Sequence, residues 1–222
     1  MHTNQDTHTS KLYSLEEKVV LITGGAGFLG KEFALSVCEA GAICILLDSN
    51  IEKLTEAEAV LNSFGYTVFC LELSITDHDQ IDKIITKIIK DFGKIDVLIN
   101  AAALAMNDMQ SGGTSYFDPI EDYAKDLWNN SIEINLTGTF LMCQRVGKQM
   151  SFQSSGSIIN LASDLSVISP DHRIYEKNDE TGYQGTSFNT PLSYTVAKTG
   201  ILGMTRHLAT YWAAKGIRVN SL

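Results

Sequence analysis

Val19-Val-Leu-Ile-Thr23, followed at once by Gly24-Gly25-Ala26-Gly27-Phe28-Leu29-Gly30, decides the fold. The short apolar, β-branched run reads as a buried strand. The glycines make a turn, and Lys31 to Ala40 beyond them reads as an amphipathic helix. Strand, glycine-rich turn and helix in this order are the setting that a dinucleotide-binding fingerprint requires. Glycines let the backbone turn tightly and let a pyrophosphate approach the helix N-terminus, where unpaired N–H groups favour negative charge. A glycine turn without a ligand would use the same residues, so the next strand has to decide between the two.

Ala42-Ile-Cys-Ile-Leu-Leu47 reads as a second buried strand and ends in Asp48. An acidic residue about 20 positions beyond the glycines is placed to bind the ribose hydroxyls of NAD. The same carboxylate would repel the extra phosphate of NADP. No arginine lies in the turn or just after Asp48, and Lys31 and Lys53 are the nearest cations. The expected cofactor is therefore NAD rather than NADP.

Strands and helices continue to alternate without an evident linker. Tyr66 to Leu73 reads as a third strand, and Asp77 to Phe92 as a helix with Ile81, Ile84, Ile85, Ile88 and Ile89 on one core-facing side. Lys94 to Asn100 is a fourth strand, Ile120 to Gly147 a long helix, continuous or interrupted, and Gly156 to Ala162 a fifth strand. Thr195 to Lys215 is a helix, and Ile217-Arg-Val-Asn220 begins a sixth strand. Repeated βα units build a parallel sheet covered by helices on both faces. The fold class is thus α/β, a doubly wound parallel sheet in three αβα layers, as one domain over residues 1–222.

Composition narrows the function classes. With 222 residues, 44% of them hydrophobic, the chain can bury one substantial core. A formal net charge of -9 argues against nucleic acid as a partner, because phosphate backbones need clustered Lys and Arg. The cysteines, Cys38, Cys44, Cys70 and Cys143, are scattered through mostly apolar segments with no close pair, so no metal site is expected and reduced core thiols in a cytoplasmic protein are. Met1 to Ser10 is polar and lacks the apolar segment of a secretory signal, and residues 1–15 are expected to be disordered. No run is long enough to span a membrane.

Near the other end stands Ser193-Tyr-Thr-Val-Ala-Lys-Thr. Tyr194 and Lys198 are four apart and share a helical face, so an ammonium can lie beside a phenol. A nearby positive charge favours the phenolate, which equips a tyrosine to exchange protons near neutral pH.

Together these residues resemble the short-chain dehydrogenase/reductase family, a Rossmann-fold group, from about Lys18 to the last residue. Ile132-Glu-Ile-Asn135-Leu-Thr-Gly-Thr-Phe places Asn135 at the family's active-site asparagine, and Gly156-Ser-Ile-Ile-Asn-Leu-Ala-Ser163 ends in the family's substrate-binding serine. Asn100-Ala-Ala-Ala103 falls where the family usually has Asn-Asn-Ala-Gly, and Gly216-Ile-Arg-Val-Asn220 looks like its sixth strand. The resemblance implies an NAD-dependent oxidoreductase acting on a secondary alcohol or ketone. Tyr194 would exchange a proton with the substrate oxygen while hydride passes between carbon and nicotinamide. Ser163 would orient that oxygen, Lys198 would bind the nicotinamide ribose and support the phenol, and Asn135 would hold a proton-relaying water. Cofactor contacts are implied for Gly24, Gly25, Gly27, Phe28, Leu29, Gly30, Asp48, Ser74, Ile75, Asn100, Ala101 and Ala102, besides Tyr194 and Lys198. A homodimer or homotetramer is implied for the full-length form.

The chain departs from the family pattern in places. Phe28 stands where shorter members usually have glycine, a spacing closer to the extended, sugar-nucleotide-epimerase branch, but the Asn135 and Ser163 signals belong to the shorter branch. Ser74 replaces an adenine-contacting aspartate, which shifts the adenine contact toward the Ile75 backbone. Ser163 and Tyr194 are 31 positions apart, far more than usual, so residues 164–193 read as an insertion, polar and glycine-rich, with the properties of a lid. Within it, His172 and Arg173 could meet an anionic substrate, and similar insertions occur in members tied to surface-polysaccharide sugars. Leu222 falls in what reads as the start of a strand, and the family normally continues, so the C-terminal part of the fold is expected to be missing. The other readings are a nucleotide-sugar epimerase or dehydratase and a catalytically idle NAD-binding protein.

Overall fold

The computed structural model describes residues 12–104, 116–175 and 189–222. Six parallel strands form one sheet: β1 (Val19–Thr23), β2 (Ile43–Asp48), β3 (Val68–Glu72), β4 (Val97–Asn100), β5 (Gly156–Asn160) and β6 (Ile217–Ser221). Their order is β3-β2-β1-β4-β5-β6, the doubly wound arrangement, with β1 at the reversal point. β1 pairs with β2 on one side and β4 on the other, so that Thr23 lies beside both Leu47 and Asn100.

All five residues of β1 are buried, because helices cover both faces of the sheet. Alternate side chains divide between two cores. Val19 and Leu21, with Ile45 and Leu47 of β2, meet Ile81, Ile85 and Ile88 of α3 (His78–Phe92) and Met142, Val146 and Met150 of α5 (Thr139–Gln153). Val20 and Ile22, with Cys44 and Leu46, meet Ala34 and Cys38 of α1 (Phe28–Glu39) and Leu54, Ala57 and Leu61 of α2 (Ile51–Ser63). Each fully buried aliphatic side chain contributes about 1.5–3 kcal/mol.

The expected α/β class and three-layer arrangement hold. α2 is an element the sequence reading passed over. Its signals were a capping asparagine, whose Oδ1 accepts the Lys53 N–H at 2.8 Å, and Leu54, Ala57 and Leu61 on one face. The long helix expected over Ile120–Gly147, continuous or interrupted, is present in interrupted form. A short 3₁₀ turn (Ile120–Asp122) precedes α4 (Lys125–Ile132), a wider π-helical stretch follows over Glu133–Gly138, and α5 runs on to Gln153. The last helix, α6, starts earlier than expected (Leu192–Tyr211) and gives way to a 3₁₀ turn at Ala213–Lys215. Lys94 to Asp96 is not strand: the Asp96 carboxylate turns in to accept the Val19 N–H at 2.9 Å.

Two expectations need amendment or a boundary. Although the sequence shows no close pair, Cys38 and Cys44 come near each other in space, buried between α1 and β2, and that neighbour and burial push Cys44 up. Of the N-terminal segment expected to be disordered, residues 1–11 lie outside the described residues, and the Leu15 N–H donates to Ala40 O at 2.7 Å. Residues 176–188 of the insertion also lie outside them; the described part holds 3₁₀ turns at Asp164–Ser166 and His172–Tyr175. Among the described residues, no helix is long and apolar enough to cross a membrane.

α5 and the Ala213–Lys215 turn approach closely at one point. A Cβ on Gly147 would lie 2.2 Å from Cη2 of Trp212, a side chain only 8% exposed. We expect Gly147→Ala to destabilise the protein by about 1–3 kcal/mol, because the indole has little room to retreat. Urea unfolding checks this, and an unchanged midpoint would mean that the ring moves freely.

Candidate active site

From the paired carboxyl ends of β1 and β4 the chain leaves in opposite directions, because the strand order reverses there, and this is where open α/β sheets hold ligands. The glycine turn lies there. Gly24 has φ +65, and a Cβ on it would come within 2.7 Å of Ala102 Cα, so both conformation and space demand glycine. A Cβ on Gly30 would fall 2.2 Å from Gly24 O, and one on Gly25 2.8 Å from Leu46 Cβ, so the start of α1 is pressed onto the turn. Gly27 is the N-cap of α1 and no side chain caps that helix, while its first turn holds no acidic residue. Uncapped amides in a first turn without acidic residues suit a pyrophosphate. Phe28 and Leu29 stand at the same helix end, 78% and 50% exposed.

Asp48, at the end of β2, reaches back to this turn. Its carboxylate accepts the Ala26 N–H at 3.2 Å and the Asn50 N–H at 3.0 Å. Opposite, the Ala102 N–H donates to Thr23 Oγ1 at 3.2 Å, so Thr23, which the sequence reading did not single out, joins the ends of β1 and β4. Ala101 packs against the core cluster under α1 and α2. The glycine turn, Asp48 and Ala101–Ala102 thus come together at one place.

Asn100 and Ser74 are committed differently. The Asn100 side chain points into a buried network, with Nδ2 donating to Asn160 Oδ1 at 2.8 Å and lying 3.3 Å from Cys143 Sγ; Asn160 in turn donates to Thr205 Oγ1 at 3.0 Å. Asn100 Oδ1 is left without a partner among the described residues. Burial pushes the Cys143 thiol in this network up to about 12. The Ser74 N–H donates to Gln80 Oε1 at 2.7 Å, and its hydroxyl pairs with Thr76 at 2.9 Å. Ile75 is buried beside Gly138, where an added Cβ would come 2.6 Å from Ile75 Cδ1.

Tyr194 and Lys198 do share a face of α6. Lys198 Nζ stands 5.8 Å from the Tyr194 ring centroid and donates to Leu161 O at 2.7 Å. The lysine is only 5% exposed, and burial pushes its ammonium down to about 8. Its acceptor, Leu161, follows β5 directly and precedes Ser163 by two residues. Ser163 is extended backbone and caps the Asp164–Ser166 turn: its hydroxyl accepts the Leu165 N–H at 3.2 Å and pairs with Asp164 Oδ1 at 2.9 Å. Thr199, beside Lys198, donates to Ser166 O at 3.3 Å, which ties this turn to α6.

Asn135 lies in the π-helical stretch, 1% exposed, a type of helical irregularity often found at functional sites. Its Oδ1 accepts the Leu104 N–H at 3.0 Å and its Nδ2 donates to Ser131 Oγ at 3.2 Å, so it fixes the chain that leaves β4. Of the two insertion residues considered for anion binding, Arg173 is exposed and ion-paired with Asp171 at 2.7 Å. Sequence reasoning overlooked an aromatic wall: Tyr116 and Phe117 are buried and pack with Leu104, Tyr123, Leu127 and the ring of Tyr194.

The family model for short chain dehydrogenases matches residues 18–175. The NAD-dependent glycerol dehydrogenase of Listeria innocua is 31% identical over 96% of this chain and 71% of that protein. The D-threitol dehydrogenase of Mycolicibacterium smegmatis is 28% identical over 95% of this chain and 70% of its own. A crystal structure of NAD+-bound xylitol dehydrogenase superposes with a TM-score of 0.75 at 30% identity, covering 93% of this chain and 69% of that one. With the glycine turn and the Tyr194–Lys198 helix in place between them, the chain belongs to the short-chain dehydrogenase family.

Proposed function

We propose that this protein is an NAD-dependent dehydrogenase that interconverts a polyol- or sugar-type secondary alcohol and its ketone. The observation that carries the reading is the Tyr194–Lys198 pair, set on one face of α6 with the ammonium buried against Leu161 O. Three relatives or neighbours with polyol names, the glycerol, threitol and xylitol dehydrogenases, support the substrate class. Sugar derivatives of surface polysaccharides fall within that class, and residues 164–193 are the segment that would select among them.

The residues at the strand ends fit a dinucleotide. Amides of Phe28, Leu29 and Gly30 at the uncapped start of α1 would hold the pyrophosphate, with Gly24, Gly25 and Gly27 giving it room. Asp48 would accept the ribose hydroxyls and disfavour a 2′-phosphate, which is the basis for NAD over NADP. Ser74 and Ile75 would border the adenine, and Ala101 and Ala102 would pass under the nicotinamide ribose, with Asn100 anchoring them from the core. The bound nicotinamide supplies the hydride exchange.

The protein's part is to place the substrate oxygen and move its proton. In this reading Tyr194 exchanges that proton, and Ser163 orients the oxygen by yielding its bond to Asp164. Lys198 binds the ribose and keeps positive charge beside the phenol. Asn135, locked to Leu104 and Ser131, holds the helix so that a relaying water has a fixed neighbour. The exposed rings of Phe140, Phe152 and Tyr211, on a groove between α5 and α6 away from the strand ends, are where a homodimer or homotetramer would form. Phe28 in the glycine pattern favours one alternative, an epimerase of the extended branch; net substrate oxidation with accumulating NADH discriminates against it.

We expect Tyr194→Phe to lower polyol turnover by at least about 100-fold while NADH affinity, read by fluorescence titration, stays nearly unchanged. Retained turnover would refute the proton-transfer role. Removing the Asp48 carboxylate (Asp48→Ala) should cut the preference for NAD over NADP by about 10- to 100-fold; the ratio of kcat/KM values for the two cofactors tests this.

Lys198 yields a pH prediction. Its folded value, about 8, lies below its ordinary 10.5, so between those limits the unfolded chain binds more protons and stability rises with pH. Below about pH 8 the buried ammonium carries its full cost. Lys198→Met removes that cost and should melt above the parent at pH 7, the difference shrinking as pH rises from 8 to 10, with turnover lost. A difference that does not vary with pH would show that the amine is solvated.

A further inference from the structure

The helix that carries Tyr194 begins without a cap of its own. Its N-cap position is Pro191, which offers no side-chain acceptor, and the Tyr194 and Thr195 N–H groups both turn to Pro191 O, at 3.1 and 3.3 Å. What restrains this first turn comes from a distant segment. Tyr123 Oη and Ser193 Oγ lie 2.8 Å apart, across 70 residues of chain, and Ser193 has no solvent exposure. Just before it, Asn189 Nδ2 donates to Phe117 O at 3.0 Å.

Tyr123 is itself held in place. Its ring stands edge-on to Tyr116, centroids 6.4 Å apart at 68°, and Tyr116 Oη accepts from Asn130 Nδ2 at 2.8 Å. The Tyr194 ring rests on the same cluster. Burial, only partly opposed by the bond to Ser193, pushes the Tyr123 phenol up, so it stays a neutral hydroxyl through the range in which enzymes work. Tyr194 is thereby bounded by Lys198 on one side and the aromatic wall on the other, while its own hydroxyl takes no partner among the described residues.

We propose that Tyr123 is a positioning residue for the reaction: its hydroxyl, bonded to Ser193, fixes the first turn of α6 and so aims the Tyr194 phenol at the substrate oxygen. The inference rests on the reading of Tyr194 as the proton-exchanging group. It goes further than packing, because Tyr123→Phe leaves the ring in its cluster and removes one oxygen. Rate is sensitive at this point, since a misplacement of about 1 Å costs roughly 100-fold where geometry is demanding.

The test uses Tyr123→Phe, Ser193→Ala and the double variant of the whole chain, with Tyr194→Phe in parallel. Turnover is measured on the best member of a panel of glycerol, threitol and xylitol, NADH affinity by fluorescence, and amide hydrogen exchange at Tyr194 and Thr195 in the free protein. Each single variant should lower kcat by about tenfold, leave NADH affinity unchanged and speed exchange at the two amides by a similar factor. The double variant should do no worse than either single, since both cut the same bond. Unchanged exchange and kcat in Tyr123→Phe, or losses that multiply in the double, would overturn the proposal. Should Tyr123→Phe fail to fold, Ser193→Ala decides by the same readouts. An inert Tyr194→Phe beside an unimpaired Tyr123→Phe sinks the positioning role alone; an active Tyr194→Phe sinks the reading beneath it.

Discussion

At the carboxyl end of β1, three pieces of backbone come closer than any side chain would allow. Gly24 lies against Ala102, and Gly30 against Gly24 O, with no room for a methyl group at either glycine. This one steric constraint sets the rest of the site. It brings the start of α1 onto the turn, holds the β1 and β4 ends together with help from Thr23, and leaves Asp48 within reach of the Ala26 N–H. A Cβ at either position would push the start of α1 away from Asp48. The apolar run of β1 anchors the arrangement by burying all five of its side chains.

Features that depend on neighbours in sequence were legible before any coordinates. The strand–turn–helix order, the acidic residue ending β2 and the four-residue spacing of Tyr194 and Lys198 are local, and each has a local physical cause. α2 escaped notice because its short apolar face is interleaved with Glu52, Glu56 and Glu58, which dilute the periodic signal. The π-helical stretch around Asn135 was invisible because one extra residue per turn leaves no compositional mark. The contacts that remained hidden are the long-range ones: Tyr123 with Ser193, and Asn100 with Asn160. No periodicity encodes which two polar groups meet in space.

The site also shows where polarity is tolerated inside an apolar sheet. Asn100, Cys143, Asn160 and Thr205 form a buried chain beneath the end of β4 and β5, in which Asn100 Oδ1 has no partner among the described residues. Buried polar groups are costly unless bonded, so a nearly satisfied network specifies register more than it adds stability. Here it pairs β4 with β5 at Asn100 and Asn160, which fixes the position of Leu161. Leu161 O is the acceptor of Lys198 Nζ, so the register of two strands is transmitted to an ammonium on a helix.

That transmission bears on why the lysine is buried at all. An exposed ammonium would keep its charge at no cost, but it would be mobile and screened by water. Buried, Lys198 loses much of its preference for the charged form and donates to the Leu161 carbonyl. A bound dinucleotide and substrate would bring further acceptors and negative charge, and these favour the ammonium again. In the free protein the ammonium thus bears a burial cost that a ligand bound there would offset. The same logic applies to Phe28 and Leu29, whose apolar side chains stand in water at the helix end that would hold the pyrophosphate. Cofactor contact would remove part of that surface from solvent, at about 25 cal/mol for each Å² covered. Cation and apolar rim would both gain from an occupied cleft, the one in charge stabilisation and the other in buried area.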